Sequence, residues 1–262
     1  MATRQTTTAL RGSDGRLMWL GPSRVFYAGL LGATSQRSLG GHGIYVSPTG
    51  EPLRMRAAGG AWASGELLVV PAHVSHQVAT EHPQVLSLLL ESESVDPARL
   101  PAFLRHCGPV EAPAFAQRVR DGHAQLLSLA GPAGFPAFDE LFFGGALAPP
   151  ALDARIREAI ARINADPAAP SPADECAAAV GLSFSRFLHL FKQQTGVTFR
   201  AFRAWKRARS LLYHVDQAAS LTDIALDTGY PDSTHFSHSI RQVYGLRPSD
   251  ILAGSRRLAV HR

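Results

Sequence analysis

Apolar and polar positions follow two different rhythms along this chain. Between about residues 20 and 95 the apolar residues gather in short runs at 24–27, 43–46, 52–56, 66–70 and 85–90, each bounded by Gly, Pro or Ser. Short punctuated runs predict strands, and their spacing predicts a small antiparallel barrel or jelly roll. From 97 to 147 the pattern lengthens, and 98–106, 112–130 and 135–143 read as helices that pack on the barrel or on a second subunit. Beyond Pro150 the period is helical. After Ser183, the residues Phe184, Phe187, Leu188 and Phe191 stand at i, i+3, i+4 and i+7, the spacing of a core-facing stripe. Ser185, Arg186, His189 and Gln193 then face outward. After Asp232 the stripe is Phe236, Ile240 and Val243, which leaves Ser233, Thr234, His235, Ser237, His238 and Arg241 outside.

The two stripes belong to a repeat. With an offset of 48 to 49 residues, Cys176 and Ala177 match Ile224 and Ala225, Gly181 matches Gly229, and Phe187 matches Phe236. Phe191 then matches Ile240, Lys192 matches Arg241 and Gly196 matches Gly245. Two copies of one unit follow, each a helix, a tight turn and a second helix. Ser171 with Pro172 and Asp174, and Ser220 with Asp223, carry the chemistry of helix starts. Gly181 and Gly229 supply the left-handed residue that closes each first helix, and Ser183 and Asp232 are natural N-caps of each second one. Ala177, Ala178 and Ala225 are small enough for paired helices to approach closely. Between the copies, residues 199–215 read as one helix of about 25 Å with Phe199, Phe202 and Trp205 along one side. With the widths of the flanking units added, such a spacer sets the two second helices for successive major grooves, about 34 Å apart on one face of a duplex.

Charge shows what such a chain binds. At 262 residues it exceeds one ordinary core, and the Gly/Pro-rich stretch ending at Pro150 divides it into 1–150 and 151–262. The first part holds 11 Lys/Arg against 11 Asp/Glu and the second 15 against 10, so the whole surplus of +5 lies in the second. No acidic residue occurs from Cys176 to Val215, whereas Arg186, Lys192, Arg200, Arg203, Lys206, Arg207 and Arg209 do. A single-sign segment of that length is a footprint for a polyanion. An outward face of Ser, Thr, His, Arg and Gln offers donors to base edges and phosphates, with no carboxylate to repel them. No apolar run approaches the roughly 20 residues of a membrane-spanning helix, and residues 1–12 lack the apolar core of an export signal. Two cysteines, Cys107 and Cys176, neither staple a scaffold nor form a metal knuckle; Cys107 reads as an incidental thiol and Cys176 as core. A reduced, cytoplasmic protein without a membrane partner is the expectation.

The run from Gly229 to Ser249, Gly-Tyr-Pro-Asp-Ser-Thr-His-Phe-Ser-His-Ser-Ile-Arg-Gln-Val-Tyr-Gly-Leu-Arg-Pro-Ser, resembles the signature of the AraC/XylS family of bacterial transcription regulators. Residues 182–196 resemble the family's first recognition helix, and the likeness covers about 155–254. It implies two helix-turn-helix units joined by a long helix, each inserting its second helix into a major groove of double-stranded DNA, so that one subunit spans two adjacent grooves. A homodimer is the family expectation, and RNA polymerase is a further candidate partner. Carried over by motif position, Ser185, Arg186, Leu188, His189 and Lys192 meet DNA from the first unit, and Ser233, Thr234, Ser237, His238 and Arg241 from the second. The sequence departs from the family at His238, where Arg is usual, and at Ile240, where Phe is usual. A histidine, neutral over much of the physiological range, grips phosphate less firmly than a guanidinium.

Residues 65–76, Gly-Glu-Leu-Leu-Val-Val-Pro-Ala-His-Val-Ser-His, resemble the second half of a cupin barrel, which many members of that family carry as a sensing domain. The resulting fold class is α+β: an N-terminal cupin-like antiparallel β-barrel with a helical connector over 1–150, then an all-α double helix-turn-helix domain over 151–262. At the barrel mouth, His42, His73 and His76 are candidates as metal ligands, as neutral structural residues, or, with Tyr45 and Trp62, as the lining of a small-molecule effector pocket. Ser38, Gly40 and Gly41 stand where related sequences often carry histidines, which favours no metal and no cofactor. Three functions stay open. They are a regulator controlled by an effector at the barrel, a metal-dependent cupin enzyme tethered by its basic half, and a constitutive regulator whose barrel only dimerises. The first is preferred, with no catalytic residue.

Overall fold

The computed structural model describes residues 15–129, 131–255 and 258–262; residues 1–12, where no export signal is read, and position 130 lie outside that set. Strand side chains point alternately to the two faces of a sheet, and here both faces are buried. β1 (Leu17–Leu20), β2 (Arg24–Leu30), β3 (Gly41–Val46), β6 (Leu67–Val70), β8 (Gln84–Glu91) and the short β9 (Gly108–Pro109) form one antiparallel sheet in the order β1-β2-β8-β3-β6-β9. β4 (Leu53–Ala57), β5 (Ala63–Gly65) and β7 (His76–Ala79) form a second, in the order β5-β4-β7. On one face of the large sheet Phe26, Ile44, Val69 and Leu88 are covered by α1 (Pro113–Ser128) and α2 (Phe138–Phe143) through Val119, Leu126 and Phe142. On the other, Tyr45, Leu68, Val70 and Val85 close against Leu53, Met55 and Val78 of the small sheet. This two-sided burial explains why the runs at 66–70 and 85–90 are almost continuously apolar. The expected barrel with its helical connector is present. The run 98–106 yields only a 3-10 turn, Ala102–Arg105, because Pro101 lacks a backbone donor and disfavours helical backbone at Leu100.

The C-terminal domain is all helical up to its last segment. It runs through α3 (Ala154–Ala165), α4 (Ala173–Ala179), α5 (Phe184–Thr195), α6 (Phe199–Ser210), α7 (Leu221–Asp227), α8 (Ser233–Tyr244) and α9 (Pro248–Gly254). Each helix-turn-helix has its own core. Ile156, Ile160, Cys176, Phe187 and Phe191 meet Phe199 and Phe202 in the first, and Ile224, Ala225, Phe236 and Ile240 meet Ala208 and Leu211 in the second. The Ser183 hydroxyl accepts from the Arg186 N–H, the Asp232 carboxylate accepts from the Thr234 and His235 N–H groups, and Ser220 with Asp223 completes a capping box. Gly196 and Gly245 close α5 and α8 at φ 75° and 74°, a left-handed backbone that side chains resist.

Several local expectations are corrected. Ser171 does not cap α4, because Pro172 itself takes the cap position and the Ser171 hydroxyl turns 3.3 Å to the Ala169 carbonyl. The spacer helix stops at Ser210, giving 12 residues or about 18 Å. The chain then tightens into a 3-10 turn, Leu211–Tyr213, which drops Leu211 into the second core. Phe184 is 53% exposed and its expected place in the stripe goes to Leu190, because the cap at Ser183 puts Phe184 at the first helical position, ahead of the core. Ala178 is also on the exposed side of α4.

The two domains are joined by more than their linker. β10 (Ala259–His261) returns to the N-terminal sheet and pairs in parallel with β1, Leu17 opposite Ala259. Trp205 lies flat on Gly40, where a Cβ would collide with the indole ring. Glu91, fully buried at the end of β8, accepts from Trp205 Nε1 at 2.8 Å and from Lys206 Nζ at 2.6 Å, and pairs with Arg209 Nε at 2.5 Å. Lys206 also reaches Glu93, and Arg209 Nη2 donates to the Gly21 carbonyl at 2.6 Å. Lys206 and Arg209 therefore leave the basic footprint assigned to them from sequence. Two carboxylates of the barrel attract them, and burial makes that pairing obligatory.

Candidate nucleic-acid interface and inter-domain cavity

The second helix of each unit presents a polar face. On α5, Ser185, Arg186, His189 and Lys192 are exposed, while Leu188 is half-buried and packs against the first core. On α8, Thr234, His238 and Arg241 lie on the outward side, and Ser233 and Ser237 are half-buried. Neither the Arg186 nor the Arg241 side chain makes a hydrogen bond or close ion pair among the described residues, so both guanidinium groups are free to turn outward. One acid, Asp232, stands at the head of α8, but two backbone N–H groups and the His235 ring occupy it. Those donors hold its carboxyl below the usual carboxylate range. Between the units, Arg200, Arg203 and Arg207 line a cleft of about 360 Å³ with Tyr230 and Ser239. Arg203 is tied there by donating to the Ser171 and Ala169 carbonyls at 2.8 and 3.0 Å. Phe184, exposed beside Ser185, is a surface residue that periodicity alone assigns to the core; the signal for its true place is the cap at Ser183.

A second feature lies where the C-terminal domain meets the barrel. A cavity of about 280 Å³ opens between Met18, Val25, Tyr27 and Leu89 of the large sheet and Leu212, Val215, Tyr244 and Ile251 of the second unit. Arg37 and Tyr45 are on its barrel side. The Tyr45 hydroxyl lies 2.9 Å from His76 Nε2, while His76 Nδ1 lies 2.8 Å from the Val74 carbonyl. Nδ1 therefore carries the proton and Tyr45 donates to Nε2. Burial pulls the His76 pKa from 6.5 down to about 4.

The other residues suggested for an effector do not gather there. His42 and Tyr45, three positions apart on β3, point to opposite faces. Trp62 sits between the Arg54 and Arg56 guanidinium groups, 5.2 and 5.1 Å from its ring centre, on the outside of the small sheet. His73 occupies a left-handed turn, φ 61°, with its N–H donating to the Leu39 carbonyl at 2.6 Å. Burial lowers the pKa of His42 and His73 as well. Among the described residues no three His, Cys, Asp or Glu side chains come together as a ligand set. Cys107 is exposed and Cys176 buried, and desolvation pushes both thiols up, away from thiolate character. The residue that sequence reasoning passes over is Arg37. Its backbone pairs with His76 in an isolated bridge, and no periodicity marks it.

Residues 176–254 match a family described as a helix-turn-helix domain. The HTH-type transcriptional activator RhaS of Klebsiella pneumoniae is 37% identical over 105 residues, which is 39% of this chain and 37% of RhaS. The chain thus spans little more than a third of that relative's length. Over most of its length the fold is similar to ToxT of Vibrio cholerae. A single-substitution variant of ToxT in its apo form has a TM-score of 0.61 at 10% identity, covering 88% of this chain and 97% of ToxT. Wild-type ToxT with a bound unsaturated fatty acid has a TM-score of 0.56 at 10% identity, covering 91% and 98%. The ToxT likeness is one of fold: a sheet-rich first domain and a helical second one.

Proposed function

We propose that this chain, whose C-terminal domain is a double helix-turn-helix DNA-binding domain of the AraC type, is a sequence-specific transcription regulator controlled by a small molecule at its N-terminal barrel. The observation that carries this reading is the pairing of α5 and α8. Each is capped, each rests on a separate core, and each turns a polar face outward, with Asp232 at the head of α8 already engaged by His235 and two backbone N–H groups. Ser185, Arg186, His189 and Lys192, and Thr234, Ser237, His238 and Arg241, are then the side chains that meet base edges and phosphates in two adjacent major grooves. Leu188 and Ser233 contact DNA from the inner edges of those helices. The protein acts in the cytoplasm, where its operator is, and a homodimer that touches RNA polymerase is the assembly the family suggests.

Control follows from the position of the cavity, whose walls come from both domains. An occupant that prefers one docking arrangement shifts the population between them; moving it from 1:99 to 99:1 takes about 5.5 kcal/mol of differential affinity. The DNA-binding part of the proposal is tested with sites selected from random duplexes and mapped by footprinting. Two protected half-sites about 10 base pairs apart are expected, with affinity falling by about 0.9 log units per phosphate neutralised for each log unit of salt. Protection confined to one half-turn, or equal affinity for scrambled duplexes, would overturn it.

A further inference from the structure

We infer that the cleft between the two helix-turn-helix units is a phosphate site, in which Arg200, Arg203 and Arg207 of α6 hold one phosphate group against both units at once. This deepens the proposed function and rests on it only where the phosphate is taken to be DNA backbone between the two half-sites. The walls of the cleft are Ser171 and Ala173 from the first unit and Tyr230 and Ser239 from the second, with α6 as the floor. On that floor Arg200, Arg203, Ala204 and Arg207 follow at i, i+3, i+4 and i+7, one stripe of the helix. Trp205 and Arg209 occupy the opposite side and enter the barrel domain. The stripe is therefore turned away from the barrel, between the units that carry α5 and α8. Two recognition helices in successive major grooves leave a stretch of backbone crossing between their units, and the stripe stands at that crossing.

The three cations play different parts. Arg203 spends its Nη1 and Nη2 on the Ser171 and Ala169 carbonyls at 2.8 and 3.0 Å, which fixes its charge in place without neutralising it. Arg200 and Arg207 donate to no group among the described residues. Arg200 is exposed, and of the Arg207 nitrogens only Nε is sealed from solvent, so the ends of both side chains are open to an occupant. No acid stands in the wall, and among the described residues none forms an ion pair with any of the three. Asp174, next to Ala173, is exposed. Burial and the Arg207 charge both pull the Arg203 pKa down, as expected of cations gathered without a counter-charge. Tyr230 and Ser239 share one hydrogen bond of 2.7 Å, and whichever hydroxyl accepts keeps its own hydrogen for an occupant. A carboxylate presents two oxygens in one plane to a single guanidinium, whereas the tetrahedral oxygens of a phosphate meet several donors at once. At about 360 Å³ the cleft has room for a phosphate with a flanking group. Seated there, it would fix the setting of one unit against the other.

The experiment has two arms. In the first, the full chain is titrated calorimetrically without DNA, using pyrophosphate and, for comparison, acetate. Pyrophosphate is expected to bind at least about ten-fold more tightly than acetate, and to lose at least about ten-fold in the double variant Arg200→Gln and Arg207→Gln, the ratio that charge-assisted hydrogen bonds supply. Ser239→Asp, which keeps all three arginines and sets a carboxylate in the wall, should remove the binding as well. In the second arm, the duplex selected for this protein carries one neutral methylphosphonate at each linkage between the half-sites in turn. Affinity is expected to fall about three- to five-fold at one or two adjacent linkages, and the double variant to be indifferent there. A response in the first arm alone makes the ligand a free phosphate, in the second alone the DNA backbone, and in both a free phosphate that competes with DNA; each supports the site. No response in either arm overturns it, as does a response that the folded double variant keeps in full. Should the protein select no duplex, the proposed function falls and the pyrophosphate titration alone decides the cleft.

Discussion

Arg186 stands in the first turn of α5, exposed and with its guanidinium unpaired among the described residues, whereas His238 holds the position in α8 where a guanidinium is usual. On the proposed function, α5 is expected to read bases more strongly than α8. Arg186→Ala is expected to cost about 1–3 kcal/mol in operator affinity and to relax discrimination at one base pair, as fluorescence anisotropy on single-base operator variants would record. Uniform weakening on every duplex would make it a phosphate contact instead. In the barrel, His76 carries a second prediction. Its pKa falls from 6.5 to about 4 on folding because burial disfavours the imidazolium. Above pH 7 neither state is protonated and stability does not depend on it. Between pH 6.5 and 4 the unfolded chain takes up a proton that the native protein refuses, so stability declines as pH falls, by up to about 3 kcal/mol across the whole window. His76→Gln should flatten that decline in urea titrations at pH 7.5 and 5; equal losses in variant and wild type would show that other groups dominate.

Among the elements, α6 serves three surfaces at once. Its first turns bury Phe199 and Phe202 in the first unit and its last turn buries Ala208 in the second. The third side sends Trp205, Lys206 and Arg209 into the barrel domain. A helix so divided couples both helix-turn-helix units to the sheet through Glu91. Glu91→Gln leaves Arg209 without its carboxylate and Lys206 with Glu93 alone, and removing one partner of a buried pair typically costs about 3–5 kcal/mol. The expected outcome is that cooperative urea unfolding of the full chain separates into two transitions and that protease cleavage between 144 and 152 accelerates. A single unshifted transition would show that β10 and the apolar contacts hold the domains together unaided.

At the scale of the whole molecule, Gly40 is the contact on which domain docking turns. A Cβ there would run into Cγ of Trp205, and because that atom is ring rather than the end of a flexible chain, the helix must move. Gly40→Ala is expected to keep helical and sheet content by circular dichroism, and to bind operator DNA, but to unfold in urea as two separate transitions because the domain contact is lost. A single unshifted transition would place the domain coupling elsewhere. Much of this protein is local chemistry and therefore legible in its residues. The repeat, the caps at Ser183, Ser220 and Asp232, the turn glycines and the strand runs all depend on neighbours within a few positions. The outward polar faces of α5 and α8 follow from helical period, and so were legible too. What could not be read is which surface covers another. Phe184 and Leu190 are equally apolar; the Ser183 cap puts Phe184 ahead of the core, and the seating of α5 gives the buried place to Leu190. Lys206 and Arg209 look like DNA contacts until Glu91, more than a hundred positions earlier, takes them. Arg37 joins the wall of the inter-domain cavity only when the second unit closes over the sheet. Period and capping act along the chain, whereas desolvation and charge pairing are settled by whatever the fold brings up from far away, and that was decided in three dimensions.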